Sequence, residues 1–208
     1  FFTLSGCLIT TLLLTELAKS GTISLRRFYG RRARRLLPAT LVCLAGVCVL
    51  IALDLTPDRS GLRWYVFGAL FQFANWVPLG LSDSYAELFN ALSPTDHFWS
   101  LAIEEQFYWL WPLSMLALYA LARRGIEAVD RAVWQARLQR LLVALFAVFA
   151  ISSPLTAIWW SKDAAYFATW ARVPEILAGA VLAVVCMRGV LPHWTRWLGA
   201  PALAAIIA

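Results

Sequence analysis

Apolar residues in this chain run in long blocks rather than in short alternating stretches. Blocks cover residues 1–18, 38–53, 98–121, 141–160, 166–187 and 198–208, the first and last cut short by the ends of the sequence. A helix needs about 20 consecutive apolar residues to cross a bilayer, so each block is a candidate span. A seventh block, 62–80, is equally apolar but contains Asn75, Pro78 and Gly80, which suit a break. The pattern predicts an all-α, polytopic transmembrane helical bundle. No soluble domain, low-complexity linker or internal repeat fits between the blocks.

The polar residues between the blocks set the orientation. Segment 19–37 carries Lys19, Arg26, Arg27, Arg31, Arg32, Arg34 and Arg35 and no acid. The positive-inside rule makes it cytoplasmic, with the next helix expected to begin near Pro38. If 62–80 crossed fully, the acidic stretch 81–97 would lie inside and the basic stretch 122–140 outside. If it re-enters or lies along the outer interface, both fall on their favoured sides. Fourteen of the eighteen basic residues are then cytoplasmic. A re-entrant or interfacial 62–80 segment is therefore expected, because irregular backbone at membrane depth is tolerated only against protein or a wet cavity.

Composition agrees with this picture. The chain is 61% hydrophobic and 14% charged, against roughly 25% charged for an ordinary soluble domain, and its mean hydropathy is +0.69. A soluble core of 208 residues cannot bury that much apolar sequence. Eleven Trp and six Tyr suit the membrane–water boundary. Cys7, Cys43, Cys48 and Cys186 sit in apolar runs without a CxxC pair and read as small packing residues. His97 and His193 are too few and too far apart for a metal site, so no metal and no bound cofactor is expected. A lipid bilayer is the expected surrounding, and no nucleic-acid partner is expected.

Three segments carry candidate chemistry. In Phe28-Tyr-Gly-Arg-Arg-Ala-Arg-Arg-Leu-Leu-Pro38, four arginines (Arg31, Arg32, Arg34, Arg35) fall within five positions. Arg32 and Arg35 share a face in a helical turn, and two guanidinium forks match phosphate oxygens. This reads as a pocket for a phosphorylated donor, such as a nucleotide or coenzyme A, or as an anchor for lipid headgroups. In Ser93-Pro-Thr-Asp-His-Phe-Trp-Ser-Leu-Ala-Ile-Glu-Glu-Gln-Phe-Tyr-Trp-Leu-Trp-Pro112, His97, Glu104, Glu105 and Gln106 stand at the outer end of a span. Carboxylates there must face protein or water. His97 lies two turns before Glu104 and shares its face if the helix reaches that far back. Trp99, Tyr108, Trp109 and Trp111 suit a cavity wall or a sugar. The plainer reading is a capped helix end within an aromatic belt. In Thr169-Trp-Ala-Arg172-Val-Pro-Glu175-Ile-Leu-Ala-Gly179, Arg172 and Glu175 are three apart and can pair, either to fix helix packing or to complement the second segment. Gly179, with Ala178 and Ala180, suits close helix contact, as does Ser5-Gly6.

Together these segments resemble the acyltransferase-3 family of integral membrane O-acyltransferases, which modify sugars of bacterial lipopolysaccharide, peptidoglycan, exopolysaccharide, antibiotics and glycolipids. Phe1-Phe-Thr-Leu-Ser-Gly-Cys-Leu-Ile-Thr10 is similar to the family's FF-x-x-SGFLI segment, with Cys7 where Phe is usual. The arginine-rich segment is similar to its RxxR loop. Phe98-Trp-Ser-Leu-Ala-Ile-Glu-Glu-Gln-Phe-Tyr108 with Trp111-Pro112 carries the sharpest likeness. Arg172-Val-Pro-Glu175 with Ala178-Gly-Ala180 is similar to its R-x-x-E-x-x-x-G span.

The resemblance implies about ten spans in the cell (inner or plasma) membrane. It implies an acyl-CoA donor, often acetyl-CoA, as co-substrate, and a carbohydrate or glycolipid hydroxyl as acceptor. Arg32 and Arg35 match the donor-binding arginines. Glu104 matches the family's acid, with His97 and Glu105 beside it on the acceptor side. Arg172, Glu175, Gln106 and Tyr108 support the site. The family's R-x10-H motif, whose histidine is the usual candidate base, belongs to a span before Phe1. The expectation is therefore a single membrane-embedded acyltransferase domain over 1–208, incomplete at both ends and inactive alone. A fused extracytoplasmic domain would lie outside these residues. The rival readings are a transporter or flippase for a glycan-type substrate, whose cavity the same charges would line, and a structural membrane subunit. The latter is disfavoured by ionisable Glu16, His97, Glu104, Glu105, Arg172 and Glu175 in or beside spans.

Overall fold

The computed structural model describes residues 1–55, 61–81, 95, 97–125 and 131–187. The span expected at 198–208, Arg188, Arg196 and most of the acidic stretch 81–97 lie outside the described residues. Helices are α1 (Phe2–Ser20), α2 (Leu25–Ala52), α3 (Leu62–Leu70), α4 (Val77–Leu81), α5 (Phe98–Arg123), α6 (Arg131–Ala150), α7 (Ser152–Trp159), α8 (Lys162–Phe167) and α9 (Thr169–Met187). The described residues form no strand, so the all-α expectation holds.

Among the described residues, four stretches are long and apolar enough to cross a membrane: Phe2–Ser20, Leu25–Ala52, Ala132–Trp159 and Lys162–Met187. The third joins α6 to α7, and the fourth joins α8 to α9. Helix α5 has 26 residues, about 39 Å at 1.5 Å per residue. It is long enough to cross, but Glu104, Glu105, Gln106 and its many ring residues keep it out of the apolar set.

The main departure from expectation is the start of α2. It begins at Leu25, not near Pro38, so the arginine-rich segment is helix rather than loop. Arginine ranks close to leucine as a helix former, and Ser24 occupies the cap position, which serine favours. Pro38 lies inside the helix, where it forgoes one backbone hydrogen bond. The basic stretch 122–140 is likewise partly helical, because α6 starts at Arg131.

Segment 62–80 is broken. Helix α3 has nine residues, about 14 Å of rise, less than half the roughly 30 Å of a bilayer core. The chain turns over 71–76, and α4 adds only five residues. That shape fits a segment that re-enters or lies at the interface. The break includes Asn75, whereas Pro78 and Gly80 sit within α4.

Polar side chains satisfy the turn from two directions. Gln106 Nε2 donates to the Gln72 carbonyl (2.8 Å) and to Asn75 Oδ1 (2.9 Å). Asn75 Nδ2 donates to the Phe167 carbonyl (2.9 Å) and to Thr169 Oγ1 (3.0 Å). The Thr169 hydroxyl donates back to Gln106 Oε1 at 2.6 Å. The turn is thus clamped between α5 and the start of α9, which meets the demand that buried irregular backbone find protein partners.

The main core joins Ile9, Leu13, Leu14 and Leu17 of α1 to Ile103 and Met115 of α5, Leu138 and Leu142 of α6, and Ile176, Leu177 and Val184 of α9. Helices α1 and α9 meet through Gly6 and Gly179. A methyl group at either glycine would run into backbone of the other helix. Both glycines therefore serve close helix contact, as their small neighbours suggest.

Helix α2 stands apart, with only Phe28, Leu44 and Val47 buried. It lies antiparallel to α5 and touches it at two heights. Leu44 packs near Phe98 and Ala102 at the start of α5, while Tyr29 reaches Trp109 near its middle. The space between these contacts is the site described next.

Candidate functional site

A cavity of about 290 Å³ opens between α2, α5 and the 71–76 turn. From α2 come Tyr29, Arg32 and the apolar Ala33, Leu36 and Leu37. From α5 come Glu105, Tyr108 and Trp109, and the turn supplies Gln72. Residues 105, 108 and 109 are three and four positions apart, so one face of α5 presents all three.

Tyr29 fixes the wall. Its hydroxyl donates to the Trp109 carbonyl at 2.7 Å, and its ring stacks on Trp109 with centroids 5.4 Å apart. Arg32, one turn further along α2, lays its guanidinium over the Tyr108 ring at 4.6 Å and the Phe28 ring at 5.9 Å. Among the described residues it makes no ion pair. An arginine held by ring faces keeps its in-plane N–H donors for something else.

Behind Tyr108 lies Glu104, only 6% exposed. Its Oε2 accepts the Tyr108 hydroxyl at 3.0 Å, and Ser5 Oγ of α1 lies 3.3 Å from the same hydroxyl. Glu104 Oε1 is buried without a hydrogen-bond partner. Buried polar atoms are nearly always satisfied, so this oxygen marks the position. Tyr108 connects the hidden carboxylate to the cavity and to Arg32.

The other expected site residues are distributed unevenly. Arg31 turns to α1, 3.9 Å from Glu16, which also accepts the Ser24 backbone N–H at 3.0 Å. Arg34 bonds back to the Gly30 carbonyl at 3.1 Å. Arg35 is exposed and does not line the cavity. The expected four-arginine pocket is thus reduced to Arg32: Arg31 and Arg34 point away around the helix, and Arg35, one turn on from Arg32, stays exposed outside the lining.

His97 is exposed, with its ring 4.4 Å from that of Phe98. His97 caps α5 with helical backbone angles (φ −78°, ψ −14°), but its exposed ring lies against Phe98 while Glu104 is buried, so no hydrogen bond joins the two. Gln106 belongs to the clamp rather than the cavity. Trp111 is a core residue, donating to Thr10 Oγ1 at 2.9 Å, and Trp99 packs among Phe2, Tyr166 and Phe167.

Arg172 and Glu175 do pair, at 2.7 Å. Arg172 also donates to the Tyr166 carbonyl (2.8 Å) and lies over the Tyr166 ring at 4.4 Å. The pair braces the α8–α9 corner, away from the cavity lining. No group of three or more metal-ligating side chains exists among the described residues.

A larger correction concerns the layout. The sequence places an arginine pocket on one membrane face and the acidic motif at the opposite end of a span. The structure puts Arg32, in the third turn of α2, together with the Glu104–Tyr108 segment in the first half of α5. The early start of α2 and its antiparallel run along α5 bring them there. Sequence reasoning also passed over Gln72 and Tyr29. For Gln72 the signal is a polar side chain set in an apolar block, which must find a partner; Tyr29, within the basic segment, carries no such signal.

The fold and cavity define a helical membrane protein with an arginine near the start of α2 gathered against two carboxyl residues two turns into α5. In sequence, the chain is 32% identical over 183 residues to a Staphylococcus aureus (strain COL) protein named "Putative O-acetyltransferase", covering 88% of this chain and 29% of that protein. It is 32% identical over 194 residues to the peptidoglycan O-acetyltransferase OatA of Listeria monocytogenes, covering 89% of this chain and 28% of that protein. It is 34% identical over 185 residues to a Bacillus subtilis (strain 168) protein named "Putative peptidoglycan O-acetyltransferase", covering 89% and 28%. The chain spans less than a third of the length of these relatives. No family model matches it, and no solved structure matches it.

Proposed function

We propose that this chain is the core of a multi-pass cell-membrane O-acyltransferase. It moves an acyl group, acetyl in the first instance, from acyl-CoA to a hydroxyl of a cell-envelope carbohydrate or glycolipid. The observation that carries the reading is Arg32, without an ion pair among the described residues, facing a cavity shared with Glu105 and Tyr108 and backed by the buried Glu104. The names of the related proteins support O-acetyl transfer, and two of them name peptidoglycan.

The acceptor hydroxyl attacks the thioester carbonyl, the C–S bond breaks, and the hydroxyl proton leaves with the coenzyme A thiol. Arg32 supplies positive charge to the donor, at a phosphate or at the oxygen where charge develops. Glu105 offers an acceptor oxygen to an incoming hydroxyl. Glu104 holds the Tyr108 hydroxyl and places a carboxyl group behind it.

The reading is tested by coenzyme A release from the full-length protein in membranes supplied with acetyl-CoA and cell-wall glycan. Acceptor-dependent release is expected. A transporter would move its substrate unchanged, so silence across several acyl donors and acceptors would overturn the proposal. A second outcome is specific to the geometry. Arg32→Ala should raise KM for acyl-CoA about tenfold or more, the scale of a lost hydrogen bond to a charged group. Arg34→Ala, whose side chain is spent on its own helix, should leave KM nearly unchanged. Equal effects from the two variants would remove Arg32 from donor binding.

A further inference from the structure

Gln72 combines a costly backbone with a side chain aimed at the cavity. Its φ is +64°, in the left-handed region that few non-glycine residues occupy; Asn, Asp and His are the side chains enriched there, not Gln. Glycine would adopt this turn freely. Such a conformation persists only where the surroundings over-determine it, and it clusters at functional sites.

The surroundings are visible. Gln106 holds the Gln72 carbonyl, Asn75 and Thr169 close the ring of hydrogen bonds around Gln106, and Asn75 is 0% exposed. The clamp acts on the backbone of the turn and leaves the Gln72 side chain free to reach α5. Its Oε1 accepts the Trp109 indole N–H at 2.6 Å. Gln72 and Glu105 together line both the cavity and the small void beside it.

We infer that Gln72 is a positioning residue: the clamped left-handed turn aims its amide so that Trp109 and Glu105 keep the orientation the cavity needs for its ligand. This rests on the acyltransferase reading for what the cavity binds, but the geometry stands independently of it. Gln72 does not touch the reacting atoms; it acts through two residues that line their site.

Three variants of the full-length protein separate backbone from side chain. Gln72→Gly and Gln72→Ala both delete the amide, but only glycine accepts the positive φ. Gln72→Asn suits the positive φ but is one methylene too short to reach Trp109. The glycine variant should therefore melt a few degrees above the alanine variant. All three should lose kcat by about tenfold to a hundredfold, the scale of a misplaced site. Hydroxyl-radical footprinting should show Trp109 oxidised faster in all three than in wild type.

Wild-type kcat in the glycine or asparagine variant, or unchanged Trp109 oxidation, would overturn the inference. So would equal melting temperatures for the glycine and alanine variants. If wild type itself transfers no acyl group, the acyltransferase reading fails instead, and the footprint and melting comparison still decide the role of Gln72.

Discussion

Glu104→Gln is expected to lower kcat for acyl transfer by about 100-fold, the scale of one lost electrostatic contribution to a site, while the protein stays folded. The two side chains have the same shape, and the glutamine carbonyl can still accept the Tyr108 hydroxyl that Glu104 Oε2 accepts at 3.0 Å. Packing around a residue only 6% exposed is therefore preserved. What disappears is the carboxyl group beneath Tyr108, with its charge or its proton, next to the ring that carries the Arg32 guanidinium at 4.6 Å. The assay is acceptor-dependent coenzyme A release, read beside the melting temperature in detergent. A variant that turns over like wild type would reduce Glu104 to packing. One that fails to fold would make the carboxyl group a structural requirement rather than a catalytic one.

The helical spans were legible because a bilayer leaves a long apolar segment few options other than helix. The break in 62–80 was legible for a different reason: charge placement forbade a full crossing, and Asn75 indicated where the chain turns. Close approach at Gly179 and the pairing of Arg172 with Glu175 followed from residue size and a spacing of three. The start of α2 does not follow from charge, because a run of arginines suits a loop beside a span as well as a helix. Charge reports which side of a membrane a segment prefers and says little about its backbone, whereas arginine's helix propensity and Ser24 before Leu25 both favoured a helix. The meeting of Arg32 with Tyr108 lay further out of reach. It depends on α2 running antiparallel along α5, and no spacing within either segment encodes that contact between residues 76 positions apart. Gln72 was overlooked because an isolated amide in an apolar block shows that a partner is needed but not which one.

The second large effect is expected at the α1–α9 contact. Gly179→Leu and Gly6→Leu should leave little folded protein after extraction, and even Gly179→Ala should be severe. Without a hydrophobic drive between helices in lipid, association rests on close packing, and here the packing surfaces are backbone. A methyl group on Gly179 would meet the Thr3 carbonyl oxygen and come within 2.7 Å of the Cys7 nitrogen; on Gly6 it would meet the Ile176 carbonyl. Backbone atoms cannot rotate aside as a side chain can, so the helices must part, and Leu13, Leu14, Leu177 and Val184 lose their contacts with them. Overpacking costs about 1–3 kcal/mol or more, against roughly 5–15 kcal/mol of total stability. Gly46→Ala is the control: nothing lies within 4 Å of a methyl there, and alanine improves the helix by about 1 kcal/mol. The yield of folded protein and its melting temperature should therefore fall for Gly179→Ala and hold or rise for Gly46→Ala. Matching behaviour would mean that α1 and α9 do not meet through these glycines. The contact also bears on the site, since α1 carries Ser5 beside the Tyr108 hydroxyl and α9 begins with Thr169 of the clamp. Parting the two helices would loosen both the Glu104–Tyr108 unit and the turn that presents Gln72.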